Sequence, residues 1–111
     1  MSPEEVEQQA QALARHYSFI ASIETLLRTP ATLTMRLRIT ERCFIHLYQN
    51  TRKGLVNYTM VLDGNRVFGH DCDGGQWHRH PFEAPASHDL SPDGQKAVTL
   101  KEFLEEARKV L

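Results

Sequence analysis

The sequence predicts an α+β domain: an antiparallel sheet of about five strands in a meander, with an N-terminal helical segment and a C-terminal helix packed on it. Three observations carry that expectation. Apolar side chains recur at spacings of three and four near both ends. Between Thr32 and Pro81 the period changes to two. The alternating runs are joined by short turns rich in Gly, Asp and Asn, which implies hairpins rather than crossovers. With 111 residues the chain fits a single domain with one modest core.

Ser2-Pro3-Glu4-Glu5 reads as a helix start. Ser2 caps, Pro3 fits the first helical position, and Glu5 completes a capping box near the positive helix end. Val6, Ala10, Leu13, Tyr17, Ile20, Ile23 and Leu27 follow as a helical stripe, continuous or broken near residues 16–18. A helical segment is therefore expected over residues 1–29. It ends before Pro30, because the residue preceding a proline resists helical angles.

From Thr32 to Pro81 the chain reads as sheet. In TLTMRLRIT, Leu33, Met35, Leu37 and Ile39 point one way, and Arg36 and Arg38 point the other. In CFIHLYQN, Cys43, Ile45 and Leu47 look like core, while Phe44, His46, Tyr48 and Asn50 form an aromatic and polar face. The strand GLVNYTMVL is apolar on both faces, so its core face stays open. Asp63-Gly64-Asn65 is a hairpin turn. NRVFGHD follows, with Gly69 marking a bulge or a close backbone approach. QWHRH is a short last strand, stopped by Pro81. Residues 82–98 are loop. Thr99 and Glu102 form a second capping box, and residues 99–111 close the chain as a helix with Leu100, Phe103, Leu104, Ala107 and Leu111 on its apolar face.

Charge and cysteine usage narrow the setting. The net charge is −1. Residues 28–88 carry eight bases and five acids, whereas both flanking segments are net acidic, so a polyanion fits the middle of the chain. No apolar run approaches the roughly 20 residues of a membrane span. The acidic start, without a basic and apolar export pattern, and the two unrelated cysteines, Cys43 and Cys72, point to a reducing cytoplasm.

The stretch from Asp71 to His88, DCDGGQWHRHPFEAPASH, concentrates the chemistry. His78 and His80 are two apart, so on a strand they share a face, with Arg79 on the other. His88 is a short loop away. Three readings follow. The first is metal-independent ribonuclease chemistry, in which one imidazole takes the proton of the RNA 2′-hydroxyl and another protonates the leaving oxygen. His78 or His80 would be the base and His88 the acid. Arg38, ahead of Arg79, would bind phosphate, with Arg36 as a further contact. Tyr48, Tyr58 and Trp77 would stack bases. The second reading is a zinc site of His78, His80, His88 and Asp71 with hydrolytic capacity, although no CxxC or HExxH spacing supports it. The third is a non-catalytic module whose basic sheet face binds nucleic acid or protein, with the helices mediating a homodimer. His46, His16 and His70 read as packing residues, and Asp71 and Asp73 as turn caps.

The block from Gly54 to Leu111, carried by LDGNRVFGHDCDGGQWHRHPFEAPASH and the capped TLKEFLEEARKVL, resembles the TumE family of small prokaryotic toxins of type II toxin–antitoxin pairs. In that family a hairpin leads to a His-rich strand, a proline-bearing loop with another histidine, and a terminal helix. The resemblance implies a small α+β toxin, a helix-turn-helix antitoxin as partner, and messenger RNA as the target.

Overall fold

The computed structural model describes residues 1–111. Helix α1 (Pro3–His16) is followed by strands β1 (Ser22–Arg28), β2 (Thr32–Arg38), β3 (Cys43–Asn50), β4 (Leu55–Leu62), β5 (Asn65–Asp73) and β6 (Gln76–His80), and helix α2 (Leu100–Lys109) closes the chain. The strands form one sheet in the order β1-β2-β3-β4-β5-β6, every neighbour antiparallel. The meander and the flanking helices agree with the sequence. No helix is long and apolar enough to cross a membrane.

Both capping boxes form. The Ser2 hydroxyl accepts from the Glu5 backbone N–H while the Glu5 carboxylate accepts from the Ser2 N–H, and Thr99 and Glu102 repeat the pattern. Each box satisfies donors that the first helical turn leaves without partners.

The sheet has six strands because the helical expectation over residues 1–29 fails in its second half. Helix α1 stops at His16, and Tyr17 takes an extended conformation. Residues 22–28 pair with β2 instead, Ile23 opposite Leu37 and Glu24 opposite Arg36. Ile20, Ile23 and Leu27 fit a helical stripe, and the strand that forms instead breaks alternation with a bulge between Thr25 and Leu27. Ladder bonds to β2 settle the choice, and the Thr29 hydroxyl closes the turn by accepting from the Ala31 and Thr32 N–H groups.

Both helices lie on one face of the sheet, α1 against β1 and β2 and α2 against β4. Leu33, Met35 and Leu37 of β2, Ile45 and Leu47 of β3, and Met60 and Phe68 of β4 and β5 are buried beneath them. Strand β4, whose core face the sequence left open, sends Tyr58 and Met60 inward, opposite Leu47 and Ile45. Phe103 of α2 is fully buried and stacks on Phe68 at 5.2 Å between centroids, with Tyr58 at 5.5 Å. The second face of the sheet carries no helix, and the site develops there.

Candidate functional site

Antiparallel register fixes which side chains share the open face. Arg36, His46, Thr59, Gly69 and His80 form one row across β2 to β6. Tyr48, Asn57, Asp71 and His78 form the next, and Arg38, Phe44, Val61 and Arg66 the one on the other side. Gly69 is the position in its row without a side chain. A Cβ there would lie 3.0 Å from the Tyr58 carbonyl oxygen, which accounts for the glycine by close approach.

Arg66 reaches this face only through a bulge. Strict alternation along NRVFGHD would put Arg66 with Phe68 and His70 on the helix side. The register instead pairs Met60 with Phe68 and Val61 with Arg66, leaving Val67 as the extra residue. A bulge re-aims the side chains beyond it. Arg66 therefore joins Asp71 and the histidines.

The three imidazoles of the Asp71–His88 stretch converge. Ring centroids of His78 and His80 are 5.1 Å apart, and His88 lies 4.8 Å from each. Their nearest ligand nitrogens all lie within 4.8 Å of one another. The loop after β6 folds back over the open face to bring His88 in, and it is pinned where Asp89 bridges to Arg79. His80 is thereby covered and only 3% exposed, whereas His88 remains exposed.

Asp71 is the hub. Its Oδ2 lies 3.3 Å from His78 Nε2 and 3.1 Å from His80 Nε2, and its Oδ1 accepts from Asn57 Nδ2 at 2.6 Å. Arg66 Nη1 is 4.0 Å from the same carboxylate and 3.0 Å from His80 Nε2. The bonding assigns a tautomer to His80. The Pro85 carbonyl, 2.9 Å from Nδ1, can only accept, so Nδ1 carries the proton. Nε2 then accepts from Arg66, which can only donate. Burial lowers the His80 pKa and Arg66 and His78 add to the lowering, while the Pro85 bond and the Asp71 carboxylate oppose it.

Beside the cluster lies a groove of about 480 Å³ lined by Arg36, Phe44, His46, Tyr48, Asn57, Thr59, Val61 and Arg66. The Arg36 guanidinium sits 4.2 Å above the Phe44 ring, and its buried Nε has no hydrogen-bond partner. Burial, and then Arg36, lower the pKa of His46. The groove thus offers a stacked cation, neutral polar groups and an aromatic wall.

Among the sequence-predicted residues, His78, His80, His88 and Asp71 come together, and Arg36 and Tyr48 share their face. Arg38 shares it too, but two strands lie between it and Arg66, three spacings or about 14 Å at ordinary strand separation, so it does not reach the histidines. Arg66 stands in its place. Arg79, Tyr58 and Trp77 point to the helix face. Arg79 lies 3.9 Å from Glu106 of α2 and beside Phe68, where His70 also meets Glu106 at 3.2 Å. Tyr58 is buried against Phe103 and Trp77, and burial pushes its hydroxyl up to about 12. None of these three can touch a ligand held by the histidines, because alternate residues of a strand face opposite ways. Sequence reasoning missed Arg66, Asn57 and Thr59. Asn57 was legible from the strand period once the core face of β4 was known. Arg66 was not, because the bulge leaves no residue signature.

No family model, no curated protein and no solved structure matches this chain.

Proposed function

We propose that this chain cleaves RNA through the RNA's own 2′-hydroxyl, using histidine acid–base chemistry without a metal. The convergence of His78, His80 and His88 with Asp71 and Arg66 on a solvent-reachable sheet face is the observation that carries the reading. The Asp71 carboxylate, 3.3 Å from His78 Nε2, favours the tautomer with the proton on Nε2, which frees the Nδ1 lone pair to take the 2′-hydroxyl proton. The 2′ oxygen then attacks phosphorus and the bond to O5′ breaks. The His88 imidazolium supplies the proton that O5′ needs. A 2′,3′-cyclic phosphate and a 5′-hydroxyl result. Arg66 neutralises the non-bridging phosphate oxygens. His80, buried and bonded to Pro85 and Arg66, acts as a positioning residue that aims the guanidinium. The Arg36 groove receives the neighbouring part of the strand, its cation for phosphate and its aromatic wall for a base.

The likeness to TumE toxins adds the biological class: a cytoplasmic toxin held silent by a helix-turn-helix antitoxin. Total RNA incubated with the purified protein and a chelator tests the chemistry. Cleavage that is lost in His78→Ala and in His88→Ala supports it. Cleavage that survives both changes sinks the assignment.

A further inference from the structure

We infer that the same cluster is a binding site for one zinc-class divalent ion, held by His78, His80, Asp71 and His88, whose occupancy silences the acid–base chemistry. The silencing clause rests on the function proposed above; the binding clause does not. A tetrahedral ion with bonds of about 2.0–2.1 Å needs donor atoms about 3.3 Å apart. Asp71 Oδ2 already stands 3.3 Å from His78 Nε2 and 3.1 Å from His80 Nε2, so two edges of the tetrahedron are built. The Pro85 carbonyl fixes the His80 tautomer with its Nε2 unprotonated, the arrangement by which an outer partner orients a ligating imidazole. Asn57 holds the other carboxylate oxygen in the same way. The donor nitrogens lie within 4.8 Å of one another, so no imidazole pair has to close by more than about 1.5 Å, and His88 sits on an exposed loop. Two imidazoles, a carboxylate and a third imidazole suit zinc or cobalt(II) rather than magnesium or calcium.

Arg66 opposes the ion. Its Nη1 occupies the direction of the His80 lone pair at 3.0 Å, and its charge repels a cation. Its side chain is 39% exposed, so it can swing into solvent when the ion enters. Metal and Arg66 therefore compete for His80. An ion on His78 Nε2 leaves that ring's proton on Nδ1, so the base is lost, and an ion on His88 takes the nitrogen that would carry the proton for O5′. The site would be open for RNA cleavage when metal-free and closed when loaded.

The test uses the full chain stripped with chelator and then titrated with zinc chloride by calorimetry, with cobalt(II) chloride as the optical probe. One equivalent should bind, and cobalt(II) should give the intense visible bands of tetrahedral coordination. His88→Ala, an exposed loop change that leaves the core alone, should weaken zinc by at least the roughly 10–100-fold that losing an outer-shell partner costs. Arg66→Ala should tighten zinc by roughly tenfold while lowering cleavage by the metal-free protein, opposite signs that a merely structural arginine would not give. No zinc heat, or equal affinity in native protein and His88→Ala, overturns the site. Cleavage that rises with zinc overturns the silencing. Zinc binding by a protein that cuts no RNA in chelator leaves the site standing and removes the function proposed above.

Discussion

Asp71→Asn separates the site's chemistry from its architecture. The substitution keeps the shape and removes the charge. The Asp71 side chain is 16% exposed and meets both Nε2 atoms at 3.1–3.3 Å, Arg66 at 4.0 Å and Asn57 at 2.6 Å. An asparagine oxygen can still accept from Asn57, so that bond survives. What disappears is the carboxylate that holds His78 in the tautomer with Nδ1 free. Losing charge-assisted bonds at a partly solvated position should cost about 1–2 kcal/mol of stability. Losing the oriented base should cost about 10²–10⁴ in cleavage rate, or about 2.7–5.4 kcal/mol of transition-state stabilisation. A domain stable by about 5 kcal/mol or more tolerates the first loss and stays folded, so the second would be seen on folded protein. Single-turnover cleavage of a short RNA in chelator, beside a urea melt of the same sample, measures both. A folded Asp71→Asn protein that cleaves within about twofold of native would refute the role given to Asp71.

Three further outcomes follow from the same structure. Burial and Arg36 lower the His46 pKa from its ordinary 6.5, so the unfolded chain binds more protons in that window. Stability is then intact above pH 6.5 and declines as pH falls through the lowered value; urea midpoints at about pH 7.5 and about pH 5.5 should differ less in His46→Phe than in native protein. Phe103→Ala removes a fully buried ring stacked between Phe68 and Tyr58 and should cost about 3–5 kcal/mol in urea unfolding. Arg36→Ala should lower the slope of log affinity against log salt by about 0.7 for single-stranded RNA, as one lost phosphate contact does, while an unchanged slope would exclude Arg36 from the interface.

The sequence made the meander and both helix starts legible because each rests on local chemistry. Ser2 with Glu5, Thr99 with Glu102, and the Asp63-Gly64 turn state their conformations in a few residues. Asp63 and Gly64 both take positive φ, 51° and 81°, which the hairpin turn requires. Strand β1 was not legible, since Ile20, Ile23 and Leu27 keep helical spacings of three and four, and only pairing with β2, with a bulge between Thr25 and Leu27, overrides them. The histidine cluster was half legible. The spacing of His78 and His80 fixed their shared face, but the fold-back that brings His88 to them depends on Pro85 and Asp89 finding partners across the loop. The cation beside the histidines is Arg66 and not the expected Arg38, because the extra residue at Val67 turns Arg66 to the open face and no pattern in NRVFGHD announces it.

The 2′-hydroxyl route itself is tested most directly by the ends of the products. A defined RNA cut by the metal-free protein should yield a 2′,3′-cyclic phosphate on one fragment and a 5′-hydroxyl on the other, and a single 2′-deoxy substitution at the cut position should abolish cleavage there. A 5′-phosphate product, or undiminished cutting beside the deoxy sugar, would contradict the account.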